Sequence, residues 1–363
     1  MRVLHVAAEC HPLAKTGGLG DVVGALPRAL AAAGVDARVL LPAYPGVRDG
    51  LGAEAREVVG RDDLHGHPAR LLAGTAATGL RVLALDVPRL FDRPSGGPYQ
   101  AGDGRDWEDN HLRFGALCRA AATVAVDGVP GWRPDLVHVH DWHAGLTPAL
   151  LRLGARDAPP TVLTVHNLAY PGLFPPEAAV ALGLSEDHLA GAGPDHDGGL
   201  GFLEAGLVHA DHVTTVSPTY AREILSPDGG MGFDALLRAR SAGGRLTGIL
   251  NGIGPEWDPG HDEHLPVDAR YSASSVERKA VSRARLQVEL GLAADPGPLL
   301  LGTVSRLTPQ KGLDLLLDAL PTLLDTAPAP PTAPGVQVAV LGRGDADLER
   351  RLTDAARSRP GRM

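Results

Sequence analysis

The sequence predicts an α/β protein of two doubly wound, Rossmann-like domains, the second incomplete. Three observations carry that prediction. Short apolar runs alternate with helical periodicity along most of the chain, the pattern of a parallel sheet covered on both faces. At 363 residues the chain exceeds one ordinary domain of about 100–200 residues. A stretch rich in Gly, Pro and Asp, Gly243–Asp268, divides one series of strands and helices from another. The expected organisation is therefore a first domain at residues 1–242, a crossover and linker helix at 243–297, and a second domain at 298–363.

The elements follow in order. Arg2–Ala8 reads as a buried strand through Val3, Leu4 and Val6, rather than as the apolar core of a signal peptide. A Gly-rich loop leads into a helix over about Asp21–Ala33, with Gly34 as the C′ glycine that ends it. Ala37–Leu41 is a strand closed by the Pro42/Pro45 turn, and Leu80–Val87 is another. Asp106 to about Val126 is a long helix, Leu136–His140 a buried strand, Gly145–Leu153 a helix and Thr161–Val165 a strand. Phe202–His209 is helical and His212–Val216 extended. Beyond the crossover come a helix at Ala280–Leu290, a strand at Leu299–Val304 and a helix at Gly312–Leu324. A Pro/Ala-rich loop at Thr326–Pro334, a strand at Val336–Leu341 and a helix at Asp345–Ala356 complete the pattern. Two βα units after Pro298 fall short of the five or six strands of a doubly wound domain, so the second domain reads as incomplete.

Charge excludes some functions. The net charge of −9 argues against a nucleic-acid binder, which needs a basic face to neutralise phosphates. No apolar run approaches the roughly 18–20 residues of a membrane span. Two cysteines cannot form a disulfide framework, so a reducing cytoplasm is expected. Only three lysines occur, Lys15, Lys279 and Lys311, the other basic residues being arginine. Codon bias accounts for this on a surface, but a lysine in a functional loop marks a place for a compact point charge.

Four segments carry candidate chemistry. Lys15-Thr16-Gly17-Gly18-Leu19-Gly20-Asp21 lies between a strand and a helix, where glycines admit a ligand and the helix N-terminus attracts an anion. It is neither a Walker A loop nor a dinucleotide fingerprint. An anion-binding loop and a plain strand-to-helix turn fit the spacing equally well. His138-Val139-His140-Asp141-Trp142-His143 ends a buried strand, the edge where open α/β sheets bind ligands. Its composition suggests zinc, but the aspartate directly follows the second histidine, which departs from the metallo-hydrolase spacing. A polar substrate pocket is favoured over a metal site, with a structural role for the histidines next. Thr164-Val165-His166-Asn167 ends another strand in groups suited to sugar hydroxyls. Ser305-Arg306-Leu307-Thr308-Pro309-Gln310-Lys311-Gly312 brings two cations to a helix start, which suits a diphosphate leaving group or is an ordinary surface turn. Asp345 and Asp347, after the last strand, read as first-turn helix residues rather than metal ligands.

With these segments in place, the chain resembles the bacterial glycogen synthases of the ADP-glucose-using starch/glycogen synthase family. KTGGLGDVVGALP, FDRP…Y…DWEDNHLRF, HDWHAGL, TVHNLAYPGLF, HADHVTTVSPTYAREI, ILNGI and VSRLTPQKGLDLLL stand in that family's order, from Met1 to about Leu352. The resemblance implies a GT-B fold and transfer of glucose from ADP-glucose to the non-reducing 4-hydroxyl end of an α-1,4-glucan, with retention. It implies no metal and no other cofactor, ADP-glucose being a substrate. By the same resemblance, His166, Asp141, Arg306 and Lys311 are catalytic, with Arg306 and Lys311 neutralising the departing diphosphate. Lys15, Gly17, Gly18, His143, Asn167 and Asn251 bind the donor, and Tyr99, Trp107 and Asn110 lie on the acceptor side.

Departures from the family pattern are equally plain. Gly254 stands where the family has the aspartate of NGID, and Glu204 where it usually has a lysine. The family's E-P-C-G-L segment does not occur, so an inactive chain is one expectation. Two alternatives stay open on these residues: a non-catalytic, glucan-binding remnant, and a retaining glycosyltransferase with another nucleotide-sugar donor.

Overall fold

In the computed structural model of the chain, which describes residues 1–52, 54–93, 95–184, 199–254, 257–325 and 335–363, Leu4 and Val6 are fully buried in a central strand. Nine strands share that sheet: β1 (Arg2–Val6), β2 (Asp36–Pro42), β3 (Arg56–Leu64), β4 (His67–Thr75), β5 (Arg81–Asp86), β6 (Leu136–His140), β7 (Thr161–Val165), β10 (His212–Thr215) and β11 (Leu246–Gly248). β8 (Leu173–Phe174) and β9 (Leu200–Gly201) form a separate short ribbon. The sheet order is β11-β10-β7-β6-β1-β2-β5-β4-β3. From β1 the chain passes to β2, then to the edge strand β3 and back inward through β4 to β5. It then crosses to β6 beside β1 and winds the other way through β7, β10 and β11. The reversal between β1 and β6 is a topological switch point, where such sheets open a crevice at their carboxyl ends.

The sheet is mixed rather than wholly parallel. β3 and β4 form an antiparallel hairpin on β5, which periodicity alone did not predict. Its turn, His65-Gly66, has positive φ at both residues, 53° and 80°. That is the conformation of the tight hairpin turns whose twist matches the flanking strands. β11 is another unforeseen strand: Leu246–Gly248 pairs with β10 within the stretch read as crossover.

Helix α1 (Gly18–Ala32) starts three residues before the expected Asp21, and Gly34 closes it as expected. At φ +84°, Gly34 lets its N–H donate to Ala31 O and that of Val35 to Leu30 O, the Schellman pair of bonds. α2 (Asn110–Asp127) begins four residues later than expected. α3 (Asp141–Gly154) begins directly at the end of β6, where a loop to Gly145 was expected. α4 (Phe202–His209) packs against α3 with backbones in close approach. A Cβ on Gly145 would lie 2.4 Å from Phe202 O, and one on Gly206 2.8 Å from Gly145 O.

By its contacts the chain divides into two units, Met1–Gly252 and Ile253–Met363. The second contains α5 (Lys279–Glu289), β12 (Leu299–Val304), α6 (Leu313–Leu320), β13 (Val336–Leu341) and α7 (Ala346–Arg357). β12 and β13 pair in parallel as a two-stranded sheet. Leu307, Leu313, Leu348 and Leu352 form one small core, and Leu320, Leu324 and Val338 another. α6 gives way to a wider turn at Pro321–Asp325 instead of running to Leu324. Asp345 caps α7 by accepting from the N–H groups of Asp347 and Leu348, the helical role expected of it. The loop expected at Thr326–Pro334 lies outside the described residues.

The α3–α4 contact yields a test. Gly145→Ala forces a methyl against a backbone carbonyl. Overpacking of this kind costs about 1–3 kcal/mol, more than the helix propensity that alanine adds. The thermal midpoint of the first unit is expected to fall by several degrees. An unchanged midpoint would show that the two helices can separate freely.

Candidate active site

The ends of β1, β6 and β7 meet at the switch point, and their last residues build the site. β6 turns into α3 at one residue. His140 is still extended, while Asp141 adopts the left-handed conformation at φ +53° and the helix starts there. Aspartate tolerates this region better than most residues, but the conformation is still one that surrounding structure must hold. What holds it is a pair of hydrogen bonds. Asp141 Oδ1 accepts from the backbone N–H of His166 at 2.6 Å and of Asn167 at 3.4 Å. One buried carboxylate thus ties the ends of β6 and β7 together. Its burial pushes the Asp141 carboxyl up to about 7; the amides of His166 and Asn167 oppose that rise and the charge of Glu9 adds to it.

Glu9, three residues beyond β1, is the hub that sequence reasoning missed. It is buried, and its Oε2 accepts from Thr16 N at 2.5 Å and Gly17 N at 3.0 Å. Its Oε1 accepts from the hydroxyl of Tyr99. The signal available was an acidic residue between a strand end and a glycine-rich loop. The Gly17 N–H, expected to face a donor anion, is directed at this carboxylate instead. Lys15 pairs with Asp21 on α1 at 2.7 Å, both side chains partly exposed.

Tyr99 joins this hub to α3. Its ring stacks on His143 at 4.5 Å with planes 22° apart, and burial with the charge of Glu9 holds its hydroxyl protonated. His143 also meets Trp142 at 4.1 Å and the edge of Phe114 at 4.9 Å. Its Nδ1 is buried with no hydrogen-bond partner among the described residues. Burial keeps it neutral. The structure therefore assembles the Lys15–Gly18 loop, Tyr99 and His143 through Glu9, and Asp141, His166 and Asn167 through backbone amides.

The remaining candidates sit elsewhere. Asn110 is buried at the start of α2, where its amide donates to Tyr99 O at 3.0 Å and accepts from Arg113 at 2.7 Å. Through these bonds it supports the backbone at Tyr99, the residue that the resemblance places on the acceptor side with it. Trp107 donates to Gly97 O at 3.1 Å and lies under the Arg93 guanidinium at 4.9 Å. Asn251 is exposed in the coil after β11. Arg306 and Lys311 are exposed in the second unit, Lys311 directly before Gly312, whose φ of +68° opens α6.

A histidine cluster lies beneath the site. His5, His138 and His140 place ring nitrogens within 4.8 Å of one another, the one metal-sized grouping among the described residues. It fits an ion poorly. His138 and His140 are stacked at 4.3 Å, 26° from parallel, so their lone pairs run alongside each other rather than converging. His138 Nε2 is also 2.6 Å from Thr164 Oγ1, and His5 and His140 are bonded to each other at 3.2 Å.

Comparison with known proteins identifies the family and agrees with the fold. Residues 2–239 match the family model described as the starch synthase catalytic domain. The chain is 49% identical to the glycogen synthase of Acidiphilium cryptum, over all of this chain and 73% of that one. It is 50% identical to glycogen synthase 2 of Bradyrhizobium diazoefficiens, over all of this chain and 72% of that one. Among solved structures it resembles the catalytic domain of starch synthase IV from Arabidopsis thaliana bound to ADP and acarbose. That likeness has a TM-score of 0.79 and 28% identity, covering 98% of this chain and 71% of that one.

The Asp141 carboxyl gives a pH test. Its folded pKa lies above the unfolded value, so the unfolded state loses its proton first as pH rises. Between about pH 4 and 7 the folded state binds more protons, and stability falls with rising pH by up to about 1.4 kcal/mol per unit from this group. Asp141→Asn cannot ionise. Denaturant unfolding of the pair is expected to show wild type losing ground to the variant over that range. A pH-independent difference would mean that Asp141 is ionised in the fold.

Proposed function

The chain belongs to the bacterial glycogen synthase family of glycosyltransferases, with its α/β GT-B fold, and from that premise we propose that it transfers glucose from ADP-glucose to the non-reducing 4-hydroxyl of an α-1,4-glucan, with retention. The observation that carries this reading is the meeting of Asp141, His143, His166 and Asn167 at the switch point of the sheet. These are hydrogen-bonding groups around a Tyr99–His143 stack, a lining suited to a sugar's hydroxyls and apolar ring face.

In this scheme His143, His166 and Asn167 are assigned to the glucose hydroxyls and Tyr99 and Trp107 to the glucan. Lys15, Gly18 and Asn251 are assigned to the nucleotide diphosphate. Gly17 shapes the same loop, its N–H being held by Glu9. The glucose C1–O bond to ADP breaks and a C1–O4 bond to the acceptor forms on the same face, while the acceptor's proton passes to the departing diphosphate. Arg306 and Lys311 stabilise the charge growing on that leaving group, a contribution largest in the transition state. No metal or other cofactor enters the scheme.

Two measurements test it. Incubated with ADP-glucose and glycogen, the protein is expected to release ADP and lengthen the glucan's outer chains. Glycogen binding without ADP release would assign it the non-catalytic role instead, and turnover only with another nucleotide sugar would reassign the donor. Lys311→Ala is expected to lower kcat by roughly 10²–10³, as removal of one preorganised charge-stabilising donor does. Lys311→Arg is not expected to restore it, because a planar fork replaces a compact ammonium. Lys15→Ala is expected to act mainly on KM. A Lys311→Ala enzyme with normal kcat and raised KM would make Lys311 a nucleotide anchor.

A further inference from the structure

Beneath the site, two buried histidines with no task in the proposed reaction are joined in a row to His166. His5 Nδ1 lies 3.2 Å from His140 Nε2, and His140 Nδ1 lies 3.1 Å from His166 Nε2. Strand register explains the row. His5 on β1 is level with His138 on β6, and His140, two residues on, shares that face of the sheet. His138 stacks on His140 and forms the side wall.

Burial keeps these rings neutral: it pushes His5 and His166 down to about 4 and His140 well below its ordinary value. A neutral imidazole carries one N–H, so each contact in the row needs one donor and one acceptor. Both contacts can be made only in two ways. Either every N–H points inward, from His166 toward His5, or every N–H points outward, from His5 toward His166.

The ends of the row distinguish the two states. His5 Nε2 is buried and has no hydrogen-bond partner among the described residues. The inward state leaves an N–H stranded there, which is costlier than the bare lone pair that the outward state leaves. Charge favours the same state. Glu9 draws a proton toward His166, while only desolvation acts on His5, so the negative charge lies at the His166 end. N–H dipoles align toward it.

We infer that His5–His140–His166 is a tautomer lock, which holds the His166 proton on Nδ1 and presents that N–H as a hydrogen-bond donor to an oxygen of the sugar substrate. His5 and His140 are positioning residues in it. The lock follows from the row itself, and only the donation to sugar rests on the function proposed above. The tautomer of a histidine is set by the bond its other nitrogen makes, and here that bond is set in turn by a third ring.

The test is a long-range ¹⁵N–¹H correlation spectrum of the whole protein carrying ¹⁵N-histidine, with signals assigned through His166→Gln and His140→Phe. In the wild type, His166 Nδ1 is expected at the protonated nitrogen shift and Nε2 at the unprotonated one. The reverse assignment in the wild type overturns the lock. In His140→Phe the row is cut, and His166 is expected to revert to the Nε2–H form that free histidine favours. Retention of Nδ1–H in that variant also counts against the lock. ADP-glucose is then added to the wild type. A shift of the His166 Nδ1–H signal supports donation to substrate. Binding that leaves this signal unmoved overturns that role and leaves the lock standing.

Discussion

One hydrogen-bonded carboxylate, Asp141 Oδ1 on the amides of His166 and Asn167, joins the carboxyl ends of β6 and β7 at the point where the chain reverses direction across the sheet. The residue carrying it is also the one at which a strand becomes a helix without a loop. Everything nearby takes its direction from that pivot. His140 just before it enters the buried histidine row, and His143 two residues after it reaches Tyr99. The backbone donors hold the strained φ in place, while the raised pKa comes from burial, which those same donors partly offset.

The site's electrostatics follow from how few charges it holds. Two buried carboxylates, Glu9 and Asp141, lie among histidines that burial keeps neutral. Glu9 spends its oxygens on the Thr16 and Gly17 amides and the Tyr99 hydroxyl, so it shapes the glycine loop rather than leaving those amides to a ligand. In the proposed reaction, a region so arranged would tell sugar hydroxyls apart by direction of donation. That makes the placing of each histidine proton a structural property of the fold.

Close packing sets the rest. Gly145 and Gly206 allow α3 and α4 to touch through their backbones, and Gly172, at φ +63°, passes where a Cβ would stand 2.5 Å from the Trp142 ring. These contacts fix the first turn of α3, on which Trp142 and His143 ride. The second unit has a different balance. Its two parallel strands and two small leucine cores enclose little apolar surface, and Val304 and Leu341 at the strand ends are exposed.

Local pattern was enough for most of the architecture. Apolar runs separated by glycine placed β1, β6, β7, β12 and β13 within two residues, and Gly34 marked a helix end because only a glycine sits easily at that φ. The motifs at the ends of β6 and β7 pointed to a polar pocket because strand ends are where such sheets bind ligands. Other features depended on residues far apart in the chain. The β3–β4 hairpin has a turn signal of two residues and strands whose outer face is polar, so its periodicity is faint. β11 is three residues long and exists only because β10 offers it a ladder. Glu9 looked like any acidic loop residue until Tyr99, ninety positions on, arrived to donate to it. Asn110 is buried and bonded to Tyr99 O and Arg113, a pairing that no local pattern announced. Sequence periodicity records which side of an element is buried, and that determined the sheet and helices here. Which buried polar group meets which is decided by strand order and register, and those exist only once the chain has closed into its tertiary structure.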